Sequence, residues 1–187
     1  MKKFQGAEAT VTVDEDVRKD REEKKYRHQQ LDERIRKDRN KKEVRILEKA
    51  RQHGVNVPEV LEKDETEFKM QKIEGRTLKE VVDEEKELLE KHAEQVARLH
   101  SANIIHGDLT TSNAIVSGDE VYLIDFGLSD HSERIEDKAV DIHLLKQVLR
   151  ASHTEELWKI FAEKYRNEGE EKVVDKVSEI EERARYK

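Results

Sequence analysis

From Ala9 to Lys19 the chain alternates apolar and polar residues, placing Ala9, Val11 and Val13 on one face before an acidic turn and Val17. This period-two pattern predicts a strand, a turn and a second strand. From Gln30 to about His53 the period lengthens. Leu31, Ile35, Arg39, Glu43, Leu47 and Ala50 recur at helical spacing, and Gly54 ends the run. Pro58 opens another strand pair, Val60–Leu61 and Phe68–Ile73, across the acidic turn "EKDET". Beyond Glu74-Gly75 the helical period returns at Leu89, Ala93, Val96 and His100. Two more helical segments follow, over 138–152 and 155–165, and a last one carries Val173, Val177 and Ile180 in register. The predicted class is α+β with two lobes. Residues 1–75 form a strand-rich lobe with one long helix, and residues 76–187 a helical lobe, with Gly75 at the boundary.

Between the lobe boundary and the later helices lies "IIHGDLTTSNAIVSGDEVYLIDFGLSD", residues 104–130. Ala114–Val116 and Val121–Ile124 read as strands flanking a turn in "SGDE". A turn centred on Asp119 pairs Ile115 with Leu123 and Asn113 with Asp125, and directly opposed residues have Cβ atoms about 4.5–5.5 Å apart. Asn113 and Asp125 then offer side-chain oxygens at the open end of the hairpin, a donor set for a hard ion such as Mg²⁺ that also holds phosphates. Asp108 lies in the loop leading to that same end.

Composition narrows the class. The chain is 34% hydrophobic and 43% charged, so the core is lean, but the charges are interspersed with apolar runs and a folded protein is expected. It has no cysteine, which excludes a disulfide frame and a thiolate zinc site. No apolar run reaches the roughly 20 residues of a membrane span, and the first residues carry no signal-peptide core. A soluble cytoplasmic protein is the expectation, with no membrane partner.

The net charge of −7 is unevenly spread. Val17 to Lys42 holds twelve Lys/Arg against six Asp/Glu, leaving the remainder strongly acidic. Such a segment suits phosphate or nucleic acid, or is a solvated helix face laced with ion pairs. Arg36, Lys37, Arg39 and Lys41 are the candidate nucleic-acid contacts under the first reading.

The order Asp108, Asn113, Asp125-Phe126-Gly127 resembles the protein-kinase signature of a catalytic aspartate, an asparagine five residues later and a metal-binding Asp-Phe-Gly. The resemblance implies a kinase-like fold in which Asp108 is the catalytic base and Asn113 and Asp125 hold Mg²⁺ over ATP phosphates. It also asks for a strand lysine paired with a helix glutamate. Lys19 follows Val17 on one strand face, and Glu43 lies on the apolar stripe of the long helix. "FQGAEATV" keeps one glycine of the usual phosphate loop, putting Gly6, Ala7 and Glu8 beside the nucleotide, with Met70 and Ile73 near its base.

The fuller set "QGAEA", "YRH", "LDERIR", "HGDLTTSN", "DFGL", "IEDKAVDIH" and "RARY" resembles the small atypical serine/threonine kinase/ATPase of the KEOPS (EKC) tRNA-modification complex, archaeal type. That likeness implies ATP and Mg²⁺ as cofactors, and the tRNA threonylcarbamoyltransferase subunit, the other KEOPS subunits and tRNA as partners. It implies a role in forming N6-threonylcarbamoyladenosine, and Asp141 as a brace for the catalytic loop. It also implies that Arg183, Arg185 and Tyr186 belong to a tail reaching the transferase. Alternate cations at 183, 185 and 187 fit an extended arm. Two other functions stand beside this one: a kinase-like tRNA-binding scaffold without catalysis, and a stand-alone RIO-like kinase.

Overall fold

The N-terminal alternation becomes a five-stranded antiparallel sheet in the order β1-β2-β3-β5-β4. Its strands are β1 (Lys2–Gln5), β2 (Thr10–Val13), β3 (Val17–Asp20), β4 (Val60–Lys63) and β5 (Glu67–Met70). The computed structural model describes all residues except Met1, Ala7, Glu8, Lys25, Arg27, Tyr186 and Lys187, and no side chain at Ala184 or Arg185. Strand β1 has no apolar signature, since all four of its residues are exposed. Its pairing with β2, Lys2 opposite Val13 through Gln5 opposite Thr10, defines it. Sequence periodicity therefore missed it.

Helix α1 runs over Gln29–Gln52. It stops where Val55 N–H bonds to Ala50 O at 3.1 Å and Gly54 N–H to Arg51 O at 3.0 Å, with Gly54 at φ +75°. These bonds form the Schellman closure that glycine favours at the first residue past a helix. The expected apolar stripe holds only in the second half. Leu31 is 53% exposed, whereas Glu43, Leu47 and Ala50 are buried with Asn40, Val44 and Ile46. The helix packs on β4 and β5. Asn40 fixes that contact by donating to the carbonyls of Asp64 and Glu67 at 2.9 and 3.0 Å.

Past Gly75 the chain forms β6 (Arg76–Thr77), a short α2 (Leu78–Val81), α3 (Leu88–Ser101) and β7 (Ile104–Ile105). A Cβ on Gly75 would stand 1.9 Å from the Val116 carbonyl oxygen, so this crossing admits only glycine. A 3₁₀ turn at Thr111–Asn113 leads into β8 (Ala114–Ser117), β9 (Glu120–Leu123) and β10 (Asp130–His131). Helices α4 (Ile135–Ser152), α5 (Glu155–Glu168) and α6 (Glu171–Arg185) complete the order. Helix α3 packs on α5 and β9, and α4 on α6, around fully buried Leu89, Val96, Leu145, Phe161 and Val177. No helix among the described residues is long and apolar enough to cross a membrane.

The hairpin register differs from expectation by one residue. Ala114 faces Leu123 and Ile115 faces Tyr122, so the loop is the two-residue Gly118-Asp119. Gly118 has φ +58° and Asp119 does not take positive φ. That combination belongs to the tight type II′ turn, which glycine at the first loop position allows. Asn113 therefore faces Ile124, whose N–H bonds to its carbonyl at 3.0 Å, and Asp125 lies one residue beyond.

Candidate active site

Strand β3 carries Lys19 inward, 6% exposed, as the alternation from Val17 requires. Its ammonium lies 2.7 Å from Glu43 Oε1 and 2.8 Å from Asp125 Oδ1. Burial alone would lower the Lys19 pKa, but the two carboxylates outweigh it and hold the pKa above its ordinary value. Burial would likewise raise Asp125, and Lys19 overrides it and keeps the carboxyl below the usual range. Asp125 has φ +60°, a left-handed conformation that is uncommon outside glycine. Its Oδ1 accepts the Gly127 N–H at 3.3 Å, which supports that turn.

At the hairpin's open end, Asn113 Nδ2 donates to Asp108 Oδ2 at 2.8 Å and to the Asp108 carbonyl at 3.0 Å. These bonds fix the amide so that Oδ1 is its remaining acceptor. Asn113 and Asp125 thus supply hard oxygen donors despite the shifted register. Among the described residues no three His, Asp or Glu side chains form a metal cluster. Two protein oxygens completed by phosphates and water suit Mg²⁺, which seldom occupies an all-protein cage.

The catalytic-loop backbone is held from below. Asp141 on α4 accepts the N–H groups of His106 and Gly107 at 2.6 and 2.9 Å, and lies 3.2 Å from His100 Nε2. His100 Nδ1 in turn meets the Tyr165 hydroxyl at 2.8 Å. Burial pushes Asp141 up, but the His100 hydrogen bond and charge prevail and its pKa is lowered. His106 is buried, which lowers its pKa and keeps the ring neutral. Its Nε2 faces the Ile124 carbonyl at 3.0 Å and its Nδ1 faces the Asp108 N–H at 3.3 Å, which assigns the ring proton to Nε2. Phe126 packs on the same ring, with centroids 4.8 Å apart. Gly107 sits at φ +80°, and a Cβ there would be 2.3 Å from the Leu128 carbonyl oxygen.

Two cavities meet at Lys19 and Asp125. One, about 260 Å³, is lined by Val11, Val17, Met70 and Ile73, an apolar slot that fits a planar base. The other, about 620 Å³, contains Gly6, Glu43, Asp108 and Gly127. A base slot that opens on a cationic and carboxylate-lined chamber matches a nucleoside polyphosphate. Ala7 and Glu8 lie outside the described residues.

A RIO-domain family model matches residues 2–166. The chain belongs to the RIO-domain family. It is 38% identical to the KEOPS complex subunit Bud32 of Pyrococcus abyssi, over 90% of this chain and 83% of that one. This places it in the Bud32 group of RIO-domain proteins. It is 41% identical to a probable bifunctional tRNA threonylcarbamoyladenosine biosynthesis protein of Methanosarcina barkeri, over 97% of this chain. The chain spans only 35% of that relative's length. The fold is similar to the Rio2 kinase of Chaetomium thermophilum, solved as an ADP/Mg²⁺-phosphoaspartate complex. The TM-score is 0.68 at 14% identity, covering all of this chain and 71% of that one. The two-lobed kinase-like fold expected from the signature is therefore the fold of this RIO domain.

The four tRNA-facing candidates do not share a face of α1. Arg36 bonds to buried Asp32 at 2.8 Å and to the Arg21 carbonyl at 3.2 Å. Lys37 joins Glu33 and Glu65 at 2.7 and 2.8 Å. Arg39 lines the larger cavity, and Lys41 lies on a separate groove beside Lys37. The extended-arm expectation is corrected at Arg183. Helix α6 continues through Arg185, and Arg183 reaches Glu136 and Glu179 at 3.4 and 3.5 Å. Glu179 and Arg183 are four residues apart, a helical spacing that favours continuation over alternation. The Arg185 side chain and Tyr186 lie outside the described residues.

Sequence reasoning overlooked Arg21, although Val17, Lys19 and Arg21 share one period-two face. It placed His100 on a helical face and drew no link from it to Tyr165. Sixty-five residues separate that pair, and no local pattern joins them.

Proposed function

We propose that this RIO-domain chain is a Mg²⁺-dependent ATPase and atypical serine/threonine kinase. It would act in the cytoplasm as the KEOPS-type subunit that supports N6-threonylcarbamoyladenosine formation on tRNA. The observation that carries the reading is the convergence of Lys19, Glu43, Asp108, Asn113 and Asp125 at the junction of the base slot and the larger chamber. Residues 1–75 would bind nucleotide, and residues 76–187 would supply the catalytic loop and partner contacts. Met70 and Ile73 would flank the base, and Gly6 would lie over the phosphates. Asn113 and Asp125 would hold Mg²⁺, which when bound neutralises charge on the phosphate oxygens.

Asp108 orients the attacking hydroxyl or water and accepts its proton. Asn113 positions the Asp108 carboxylate through the 2.8 Å bond. Lys19 holds phosphate charge, and His106 and Asp141 keep the loop in place. Preorganised charges of this kind stabilise the transition state without reorganising during reaction.

The names of the Pyrococcus and Methanosarcina relatives support the KEOPS and tRNA assignment. The transferase subunit, other KEOPS subunits and tRNA would be the partners, with Lys37 and Lys41 on one side of α1 and Arg36 and Arg39 on another. Arg183, Arg185 and Tyr186 would contact the transferase. ATP hydrolysis by the pure chain, with and without tRNA and the transferase subunit, tests the proposal. Turnover that needs Mg²⁺ and rises with those partners is expected. No turnover under any combination would leave the scaffold function in its place.

A further inference from the structure

Glu43 has two carboxylate oxygens, and each takes a different cation. Lys19 binds Oε1 at 2.7 Å, and Arg21 Nη2 binds Oε2 at 2.6 Å. The Arg21 side chain is 3% exposed and that of Glu43 is 2% exposed, so solvent screens this pair little. Arg21 Nε has no hydrogen-bond partner, so Glu43 alone among the described carboxylates fixes the guanidinium. The backbone of Arg21 is anchored too. Its N–H bonds to the Thr66 carbonyl at 3.2 Å, and its own carbonyl accepts from Arg36 at the same distance. Arg36 and Glu43 are seven residues apart on α1, about two helical turns and one face. One residue just past the end of β3 therefore grips α1 at two points.

Lys19 has a divided task, because it also binds Asp125 and lies where phosphate charge would draw it. Arg21 has none. The segment after Asp-Phe-Gly reaches α1 through Lys42 to Asp130 at 2.9 Å and Lys49 to His131 at 3.3 Å, and both contacts are exposed and contribute little. Gly107 offers no side chain to that segment.

We propose that Arg21 is a positioning residue that holds Glu43 and helix α1 in place independently of Lys19, keeping Lys19 available to nucleotide phosphate. The inference rests on the ATP-site reading for its consequence, and on the contacts of Arg21 with α1 for its mechanism. Helix position is set within the N-terminal lobe and needs no modified residue in the segment following Gly127.

The test compares Arg21→Met, Arg21→Lys, Glu43→Gln and the Arg21→Met/Glu43→Gln double variant of the full chain. Hydrogen exchange and Mg²⁺–ATP affinity are measured for each. Arg21→Met is expected to speed exchange over residues 36–47 while α3 stays protected, and to weaken Mg²⁺–ATP binding about ten-fold, since a buried carboxylate loses a partner. Arg21→Lys, which keeps a cation, is expected to recover most of both losses and also serves if Arg21→Met fails to fold. In the double variant the affinity losses are expected not to multiply, because both act through one contact. Unchanged α1 exchange in Arg21→Met, or fully multiplicative losses, would overturn the proposal. If the wild-type chain binds no Mg²⁺–ATP, the ATP reading fails by itself, and the exchange comparison still decides the role of Arg21.

Discussion

The Lys19 ammonium lies 2.8 Å from Asp125 Oδ1, joining the proposed phosphate ligand on the sheet to the proposed metal ligand after the hairpin. Asp125 is 55% exposed at its side chain, so its removal should spare the core. Asp125→Ala is expected to lower Mg²⁺-dependent ATP turnover by about 10²-fold or more, the scale set by removal of one preorganised electrostatic group. Far-UV circular dichroism should remain that of the wild type. Retained turnover would remove Asp125 from the chemistry.

Arg18 and Lys19 are neighbours on opposite faces of β3. Arg18 is 60% exposed and bonds to Glu67, while Lys19 faces the site. Lys19→Ala should raise the KM for Mg²⁺–ATP about ten-fold or more, consistent with loss of a charge-assisted phosphate contact. Arg18→Ala should leave KM and kcat near wild type. Steady-state kinetics of the two variants gives the comparison, and the opposite ranking would refute the inward placement of Lys19.

Gly107 combines φ +80° with a 2.3 Å approach between a built Cβ and the Leu128 carbonyl oxygen. Gly107→Ala is therefore expected to destabilise the chain by about 1–3 kcal/mol through backbone strain and displacement of the neighbouring segment. Urea unfolding measures the first effect, and a fall in ATP turnover would report the second. A variant as stable as wild type would show that Leu128 can withdraw without cost.

His92 is fully buried against Phe161, and neither ring nitrogen has a partner. Burial pushes its pKa down to about 3, below the roughly 6.5 of an exposed histidine. Between those values the unfolded chain binds a proton that the folded chain does not. Stability is thus present above about pH 6.5 and is lost as pH falls, at up to about 1.4 kcal/mol per pH unit for this group. His106 is also lowered by burial and adds to the slope. Urea titrations from pH 7 to 5 should show a shallower loss for His92→Leu than for wild type. Equal slopes would mean that the site admits a proton without opening.

The sequence by itself determined the order of β2, β3, α1, β4, β5, α3, β8, β9 and the last three helices, the end of α1 at Gly54 and the inward side of β3. Each depends on chain-local chemistry: an apolar period, a glycine able to take positive φ, and strand alternation. The spacing of Asp108, Asn113 and Asp-Phe-Gly likewise exposed the proposed catalytic residues, because one short hairpin brings them together. Tertiary structure alone decided the strand identity of exposed β1 and the one-residue hairpin register. It also decided the helical course of α6 through Arg185. Only packing joined His100 to Tyr165 and divided the basic residues of α1 between faces. It also gave the second oxygen of Glu43 to Arg21. These outcomes depend on which surfaces are buried against one another, and burial is a property of the assembled layers that residue spacing along one segment does not contain.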